Sequence, residues 1–293
     1  MGMGKDLYET FPESKAVFDK ADNALGFPLS KICFEGPQEK LTDTANCQPA
    51  ILAMSIAAWE VHKASAGRKL ESADYAAGLS LGEYSALVAA EAISFEDALC
   101  LVRRRGQFME EAAATRPGTM LSVIGLDLAQ VKEVCFKANT EIANINCPGQ
   151  IIISGGVKEI TQAQLLAKEA GAKMAVPLEV SGAFHSSFMK GASLKFAAEI
   201  EKVKINTPKL TVVSNVTSRP VSSGAEIRDN LVKQVYSSVL WEDSMKFILS
   251  KDIMNFMEFG PGKVLKGLMR RIDANAQVVN IEKKEDILWY RKV

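Results

Sequence analysis

This chain has no basic excess: its 293 residues carry 35 Lys and Arg against 35 Asp and Glu, a formal net charge of zero. A nucleic-acid-binding surface normally shows as a basic surplus, so that class of partner is disfavoured. Cysteines are few (Cys33, Cys47, Cys100, Cys135 and Cys147), and no two stand as C-x-x-C. That leaves neither a disulfide framework nor a zinc site with ligand spacing, and it fits a reducing, cytoplasmic setting with free thiols. No apolar run approaches the roughly 18 residues of a membrane span. The N-terminus lacks the apolar stretch of a signal peptide. Met1-Gly2 does not open a myristoylation signal, because Asp6 stands where Ser or Thr is required. Histidine is scarce too, with only His62 and His185, so any chemistry needing an imidazole base has two candidates.

What is present is an ample core, at 47% hydrophobic residues, enough for one elaborated domain or two. The chain is organised around Tyr75-Ala76-Ala77-Gly78-Leu79-Ser80-Leu81-Gly82-Glu83-Tyr84. Small apolar residues lead into G-x-S-x-G, and a helical run from Glu83 to Ala90 follows, the pattern of a strand, a sharp turn and a helix with Ser80 at the apex. Gly78 and Gly82 remove side chains that would clash across such a turn. The Ser80 hydroxyl is then presented at a helix N-terminus, and the Leu81 N–H is the natural donor to a developing oxyanion. The alternative is a Gly/Ser turn that carries no chemistry.

Along the chain, Lys5 to Leu25 reads as one helix and Ser30 to Leu41 as irregular. A second helix starts around Thr42–Pro49, with Pro49 in its first turn, runs to Lys63 and stops at Gly67. Ser72 to Ala77 is the strand before the elbow. Ser94-Phe95-Glu96-Asp97 caps a helix to about Ala114, in which Arg103-Arg104-Arg105 is expected to split, two solvated and one turned inward. After the break at Arg116–Thr119, the pattern is strand Met120–Ile124, helix Leu128–Ala138, strands Glu141–Asn146 and Gln150–Ser154, helix Ile160–Ala170 and strand Lys173–Leu178. This β-α-β-β-α-β order is the split-βαβ signature of a ferredoxin-like unit; more layers of one continuous α/β sheet are the alternative. Further on come a helix from Phe188 to Glu201, a strand at Leu210–Ser214, helices Ile227–Tyr236 and Trp241–Leu249, a strand Met254–Glu258, a helix Val264–Ile272 and a strand Gln277–Ile281. The expected fold class is therefore α/β. A large hydrolase-like α/β catalytic subdomain with a parallel sheet (1–116 and 181–293) holds a small inserted ferredoxin-like βαββαβ subdomain (117–180).

A serine nucleophile needs a base within hydrogen-bond reach. His62 lies near the end of its helix, where a cation offsetting the helix dipole is a sufficient structural explanation. His185 sits among small residues just before a helix, in a loop that could face a cleft, and is the better base; a helix-cap histidine is the competing reading. No acid stands beside His185, which leaves room for a backbone carbonyl to fix its tautomer.

Gly78-Leu79-Ser80-Leu81-Gly82-Glu83-Tyr84-Ser85-Ala86-Leu87, with Ser181-Gly182-Ala183-Phe184-His185-Ser186, resembles the malonyl-CoA:acyl carrier protein transacylase family, the acyltransferases of fatty-acid and polyketide synthesis. Asn46-Cys47-Gln48-Pro49-Ala50 resembles the family's Asn-Thr-Gln-Pro-Ala helix start, and Arg105-Gly106 with Phe108-Met109 its arginine helix. Asn146-Cys147-Pro148-Gly149-Gln150 with Ile153-Ser154-Gly155, Gln234-Val235-Tyr236, Trp241 and Phe259-Gly260-Pro261-Gly262-Lys263-Val264-Leu265 extend the likeness over essentially the whole chain. The resemblance implies Ser80 as nucleophile and His185 as base and then acid. It implies Arg105 as partner of the malonyl carboxylate, for which a guanidinium fork is suited, and Leu81 N–H as an oxyanion donor. It also implies that the Gln234 main-chain carbonyl orients His185, and that Phe184 selects malonyl by leaving no room for an alpha-methyl branch.

The partners so implied are malonyl-CoA and acyl carrier protein; no cofactor, nucleic acid or membrane is expected, and a monomer is. The family also has a strand and a Gly-Gln-Gly-x-Gln loop before a segment like Gly2-Met3-Gly4. Without them, one oxyanion donor would be missing and the chain is expected to be poorly active. A thioester hydrolase, or a chain that binds CoA or carrier protein without turning over, are the competing readings.

Overall fold

In the computed structural model, residues 1–66 and 74–290 are described. The first expected helix is two: α1 (Lys5–Thr10) and α2 (Pro12–Leu25), separated at Phe11, which is extended at φ −121° and ψ 124°. Pro12 is the cause, since its ring excludes the helical conformation from the residue before it. The stretch expected to be irregular holds two short helices, α3 (Leu29–Glu35) and α4 (Gln38–Thr42). Both are local turns without a sustained apolar period. α5 (Thr44–Ala66) starts a turn earlier than the proline suggests, so Pro49 lies inside it. The stop expected at Gly67, and the first part of the strand expected from Ser72, lie outside the described residues.

α5 is the central helix. It packs against α2, against α6 (Gly82–Ala89) and against α7 (Phe95–Thr115), with Leu52, Ala53, Ala57 and Val61 fully buried. Each large side chain so buried contributes roughly 1.5–3 kcal/mol. Ser94 caps α7 as expected, its hydroxyl accepting from Asp97 N–H at 3.0 Å. Gly106 lets α7 approach the start of α5: a Cβ there would lie 2.7 Å from the Thr44 carbonyl oxygen. That contact sets Arg105 beside the first turns of α5.

The strand before the elbow is short, β1 (Tyr75–Ala76). The middle of the chain then forms β2 (Thr119–Ile124), α8 (Leu128–Ala138), β3 (Glu141–Cys147), β4 (Gln150–Gly155), α9 (Val157–Glu169) and β5 (Met174–Pro177). These strands make one antiparallel sheet of order β3-β4-β2-β5, with α8 and α9 packed on it around Leu121, Val131, Ile153 and Ala163. A 3-10 turn (Ser187–Met189) leads into α10 (Lys190–Ile200), then β6 (Thr211–Val212), α11 (Gly224–Gln234), α12 (Trp241–Leu249), β7 (Asn255–Phe259), α13 (Val264–Ile272) and β8 (Gln277–Ile281). A last helix, α14 (Lys284–Tyr290), was not anticipated. β1 pairs parallel with β6, and β7 parallel with β8. The molecule is thus mixed α/β, with its parallel pairs outside the antiparallel sheet. Among the described residues no helix is long and apolar enough to cross a membrane.

The antiparallel sheet is tied to its surroundings. The β3 backbone exchanges hydrogen bonds with Val239, from Val239 N–H to Ala143 at 2.8 Å and from Ile145 N–H to Val239 at 2.9 Å. Ser154 on β4 donates to the Phe184 carbonyl at 2.6 Å, and Glu141 on β3 accepts from the Ser187 N–H and hydroxyl.

Candidate active site

Ser80 lies at the turn between β1 and α6, with φ 51°, a left-handed conformation that a non-glycine residue holds only at a cost of about 1–3 kcal/mol. Gly78 is required by this turn, since a Cβ there would fall 2.0 Å from the Gly82 carbonyl. Gly82 corrects the sequence argument, because a Cβ on it would meet nothing within 4 Å among the described residues. The crowding is between the Gly82 backbone and position 78, not at both glycines. The turn is pinned by Asn215, just beyond β6: its Oδ1 accepts from Ser80 N–H at 2.6 Å and its Nδ2 donates to the Gly78 carbonyl at 2.8 Å. The Ser80 N–H is therefore occupied. The next N–H, on Leu81 at the head of α6, is not hydrogen-bonded among the described residues.

The two histidines separate cleanly. His62 is buried beside Trp59 and Phe259, and burial lowers its pKa. That direction runs against its reading as a cation at a helix end, since desolvation disfavours the charged imidazole. His185 is brought to Ser80, with Nε2 2.8 Å from the Ser80 Oγ. Its Nδ1 lies 2.8 Å from the Gln234 main-chain carbonyl. A carbonyl can only accept, so Nδ1 carries the proton and Nε2 is left to accept from the serine. Burial, then the charge of Arg105, lower the His185 pKa to about 4, with the Gln234 carbonyl acting the other way. The imidazole is thus a neutral base over the physiological range. Like Ser80, His185 is left-handed, at φ 56°.

The arginine run divides as expected for Arg104 and Arg105, but Arg103, expected to be solvated, is half-buried and donates to the Leu25 carbonyl at 3.4 Å. Arg104 is exposed, Arg103 lies over the Phe27 ring at 4.2 Å, and Arg105 is buried. Arg105 donates to Gln48 Oε1 at 2.8 Å, Ser80 Oγ at 3.0 Å and Gln234 Oε1 at 3.1 Å. All three acceptors are neutral, and the Arg105 Nε has no partner among the described residues. Phe184, next to His185, is half-buried and packs against both the helical core and the face of the antiparallel sheet.

Two polar residues here escaped the sequence argument. Asn215 follows a strand at the carboxyl end of a parallel pair, the place where site residues of α/β sheets gather, and that was its only signal. Glu83 reads as an ordinary first-turn acid but is buried, with burial pushing its pKa up to about 7 against the pull of Gln234, Asn215 and Arg105. The arrangement as a whole is a serine hydroxyl polarised by a neutral imidazole, beside a helix-head N–H and a buried cation. Chemically it can form and resolve an ester on Ser80.

Residues 1–269 match the acyl transferase domain family. The chain is 44% identical over 292 residues to a malonyl CoA-acyl carrier protein transacylase of Bacillus subtilis (strain 168), covering 98% of this chain and 91% of that protein. It is 39% identical to the protein of the same description in Staphylococcus aureus (strain COL), covering 98% and 93%. Its structure superposes with TM-score 0.95 and 36% identity on the malonyl CoA-acyl carrier protein transacylase of Coxiella burnetii, over 100% of this chain and 93% of that one. The same score and identity relate it to a malonyl-transacylase solved in complex with its type II acyl-carrier protein, over 100% of this chain and 95% of that one.

Proposed function

We propose, from the premise that this chain belongs to the acyl transferase domain family, that it moves a malonyl group from malonyl-CoA to the phosphopantetheine thiol of acyl carrier protein. The observation that carries the reading is the convergence on one oxygen: Ser80 Oγ lies 2.8 Å from His185 Nε2 and 3.0 Å from Arg105 Nη2. A general esterase has no use for a buried cation beside its nucleophile.

In the first half-reaction the Ser80 Oγ attacks the thioester carbonyl while its proton passes to His185 Nε2. The negative charge on the carbonyl oxygen is met by the Leu81 N–H. On collapse the C–S bond breaks and His185 returns the proton to the CoA sulfur, leaving malonyl as an ester on Ser80. In the second half the carrier-protein thiol gives its proton to His185 and attacks the ester, and the proton then returns to Ser80. Arg105 holds the malonyl carboxylate, which becomes its charged partner. Gln234 steadies the imidazole through its main-chain carbonyl, and Phe184 crowds out an alpha-methyl branch. No step calls for a metal or an organic cofactor, and a cytoplasmic setting suits the free cysteines.

The finer architecture belongs to the same reading. Residues 1–116 and 181–293 form a large hydrolase-like α/β subdomain, and 117–180 a small ferredoxin-like one. The β-α-β-β-α-β succession and the order β3-β4-β2-β5 support that division.

The test is intact-protein mass spectrometry after incubation with malonyl-CoA. The wild type should gain one malonyl group, release it to carrier-protein thiol, and lose the adduct in Ser80→Ala. Persistent malonylation of the Ala variant would rule out Ser80.

A further inference from the structure

We propose that Glu83 is a positioning residue of the acyl transfer, whose buried carboxylate orients Gln234 and Asn215 so that these two hold Ser80 in its left-handed conformation. The inference rests on the reading of Ser80 as the nucleophile. Glu83 is 2% exposed. An acid that served only the helix dipole would stay at the surface. Burying a carboxylate is costly unless its acceptors are used, and this one is used by two residues that grip Ser80 from opposite sides. One Glu83 oxygen, Oε2, accepts from Gln234 Nε2 at 2.7 Å and from the Asn215 backbone N–H at 3.2 Å. Gln234 Nε2 also donates to the Ser80 carbonyl at 2.9 Å, while the Asn215 amide takes the Ser80 N–H at 2.6 Å and gives to Gly78 at 2.8 Å. Both peptide groups of the strained nucleophile are thus held by side-chain amides, and the two residues that supply them meet on one carboxylate oxygen, Gln234 through its side chain and Asn215 through its backbone N–H.

The carboxylate also settles which way the Gln234 amide points. Oε2 accepts both when Glu83 is ionised and when its proton sits on the other oxygen, so it draws the Gln234 NH2 end toward itself, and the Gln234 Oε1 end faces the Arg105 guanidinium at 3.1 Å. Turned over, the NH2 group would oppose a guanidinium that only donates. Glu83 therefore acts at one remove on the nucleophile, whose backbone it steadies, and on the cation, whose acceptor it orients.

The experiment compares Glu83→Gln, Glu83→Asp and Glu83→Leu with the wild type in single-turnover acylation by malonyl-CoA and acetyl-CoA, scored by intact mass for both rate constant and final amplitude. Glu83→Gln keeps an acceptor oxygen at the place of Oε2 and should acylate within a few-fold of wild type. Glu83→Asp keeps the charge but falls a methylene short, and Glu83→Leu keeps the bulk without an acceptor. Both should acylate about 10- to 100-fold more slowly, the scale of a misplaced reacting group, with full amplitude and a reduced preference for malonyl. A residue needed only for folding would instead lower the amplitude and leave the rate of the folded fraction unchanged, and that outcome overturns the proposal. If Glu83→Leu does not fold, the Gln and Asp variants decide: equal rates, or Asp faster than Gln, refute it. Adduct mapping to Ser80 in the wild type separates a failure here from a failure of the nucleophile assignment.

Discussion

Replacing Arg105 by Ala tests the chemistry of the site most sharply. The guanidinium is 1% exposed and bonded to Gln48 Oε1, Ser80 Oγ and Gln234 Oε1, all neutral. Glu83 acts on the guanidinium only through space; a malonyl carboxylate would bring an anion into direct hydrogen-bond contact with it, and acetyl would not. A hydrogen bond to a charged group contributes about 1.5–3 kcal/mol, which corresponds to roughly 10- to 150-fold in rate. Truncation also removes the donor to Ser80 Oγ, but that loss is common to both acyl groups and cancels in their ratio. The expected result is that kcat/KM for malonyl-CoA, measured with carrier-protein thiol as acceptor, falls by that factor relative to kcat/KM for acetyl-CoA. Arg105→Lys, which keeps the charge as a single point without the fork, should fall between. Equal losses for the two substrates would mean that Arg105 supports the fold and does not read the carboxylate.

Three further outcomes concern the buried base and the turn that carries the nucleophile. With His185 held to about 4 from an ordinary 6.5, acylation of Ser80 should rise with pH through about 4 and stay level across 6.5; a limb centred near 6.5 would refute the buried, neutral base. The same depression has a sign for stability: the unfolded chain takes up the proton first, so His185 leaves stability intact above 6.5 and erodes it as pH falls toward 4. Gly78→Ala places a Cβ 2.0 Å from the Gly82 backbone, whereas among the described residues Gly82→Ala meets nothing within 4 Å. The first should cost about 1–3 kcal/mol of stability or more through overpacking, read as a lower melting temperature, and abolish the acyl-enzyme, while the second should do far less; acylation of Gly78→Ala at the wild-type rate would sink the account of the turn.

The elbow was legible because its constraints are local: a glycine, a serine and a second glycine within five positions, followed by a helix. His185 was legible because only one other histidine competed with it. The β2-to-β5 unit was legible because its strands and helices alternate in a period that few other arrangements share. Asn215 was not, since it reaches Ser80 across 135 positions and has no local pattern. Glu83 was hidden by its ordinary place in a first helical turn, where burial cannot be read. The Gln234 contribution to His185 is a backbone atom, which has no residue signature, and came only through family resemblance. The burial of His62 was hidden for a related reason: a helix end does not reveal whether its last turns face solvent or an aromatic pair. The break at Phe11, by contrast, was written in Pro12 and could have been read.

The ties between the antiparallel sheet and the segments around the base carry one more consequence. Ser154 on β4 grips the peptide just before His185, Glu141 on β3 grips Ser187 just after it, and Val239 is laced to β3 a few residues beyond Gln234. A flap that opened and shut over Ser80 would have to tear these bonds at every cycle and would carry the imidazole away with it. The sheet and the segments that hold the imidazole are therefore tied into one unit, so a displacement of the sheet would be felt at the base before it was felt at the nucleophile.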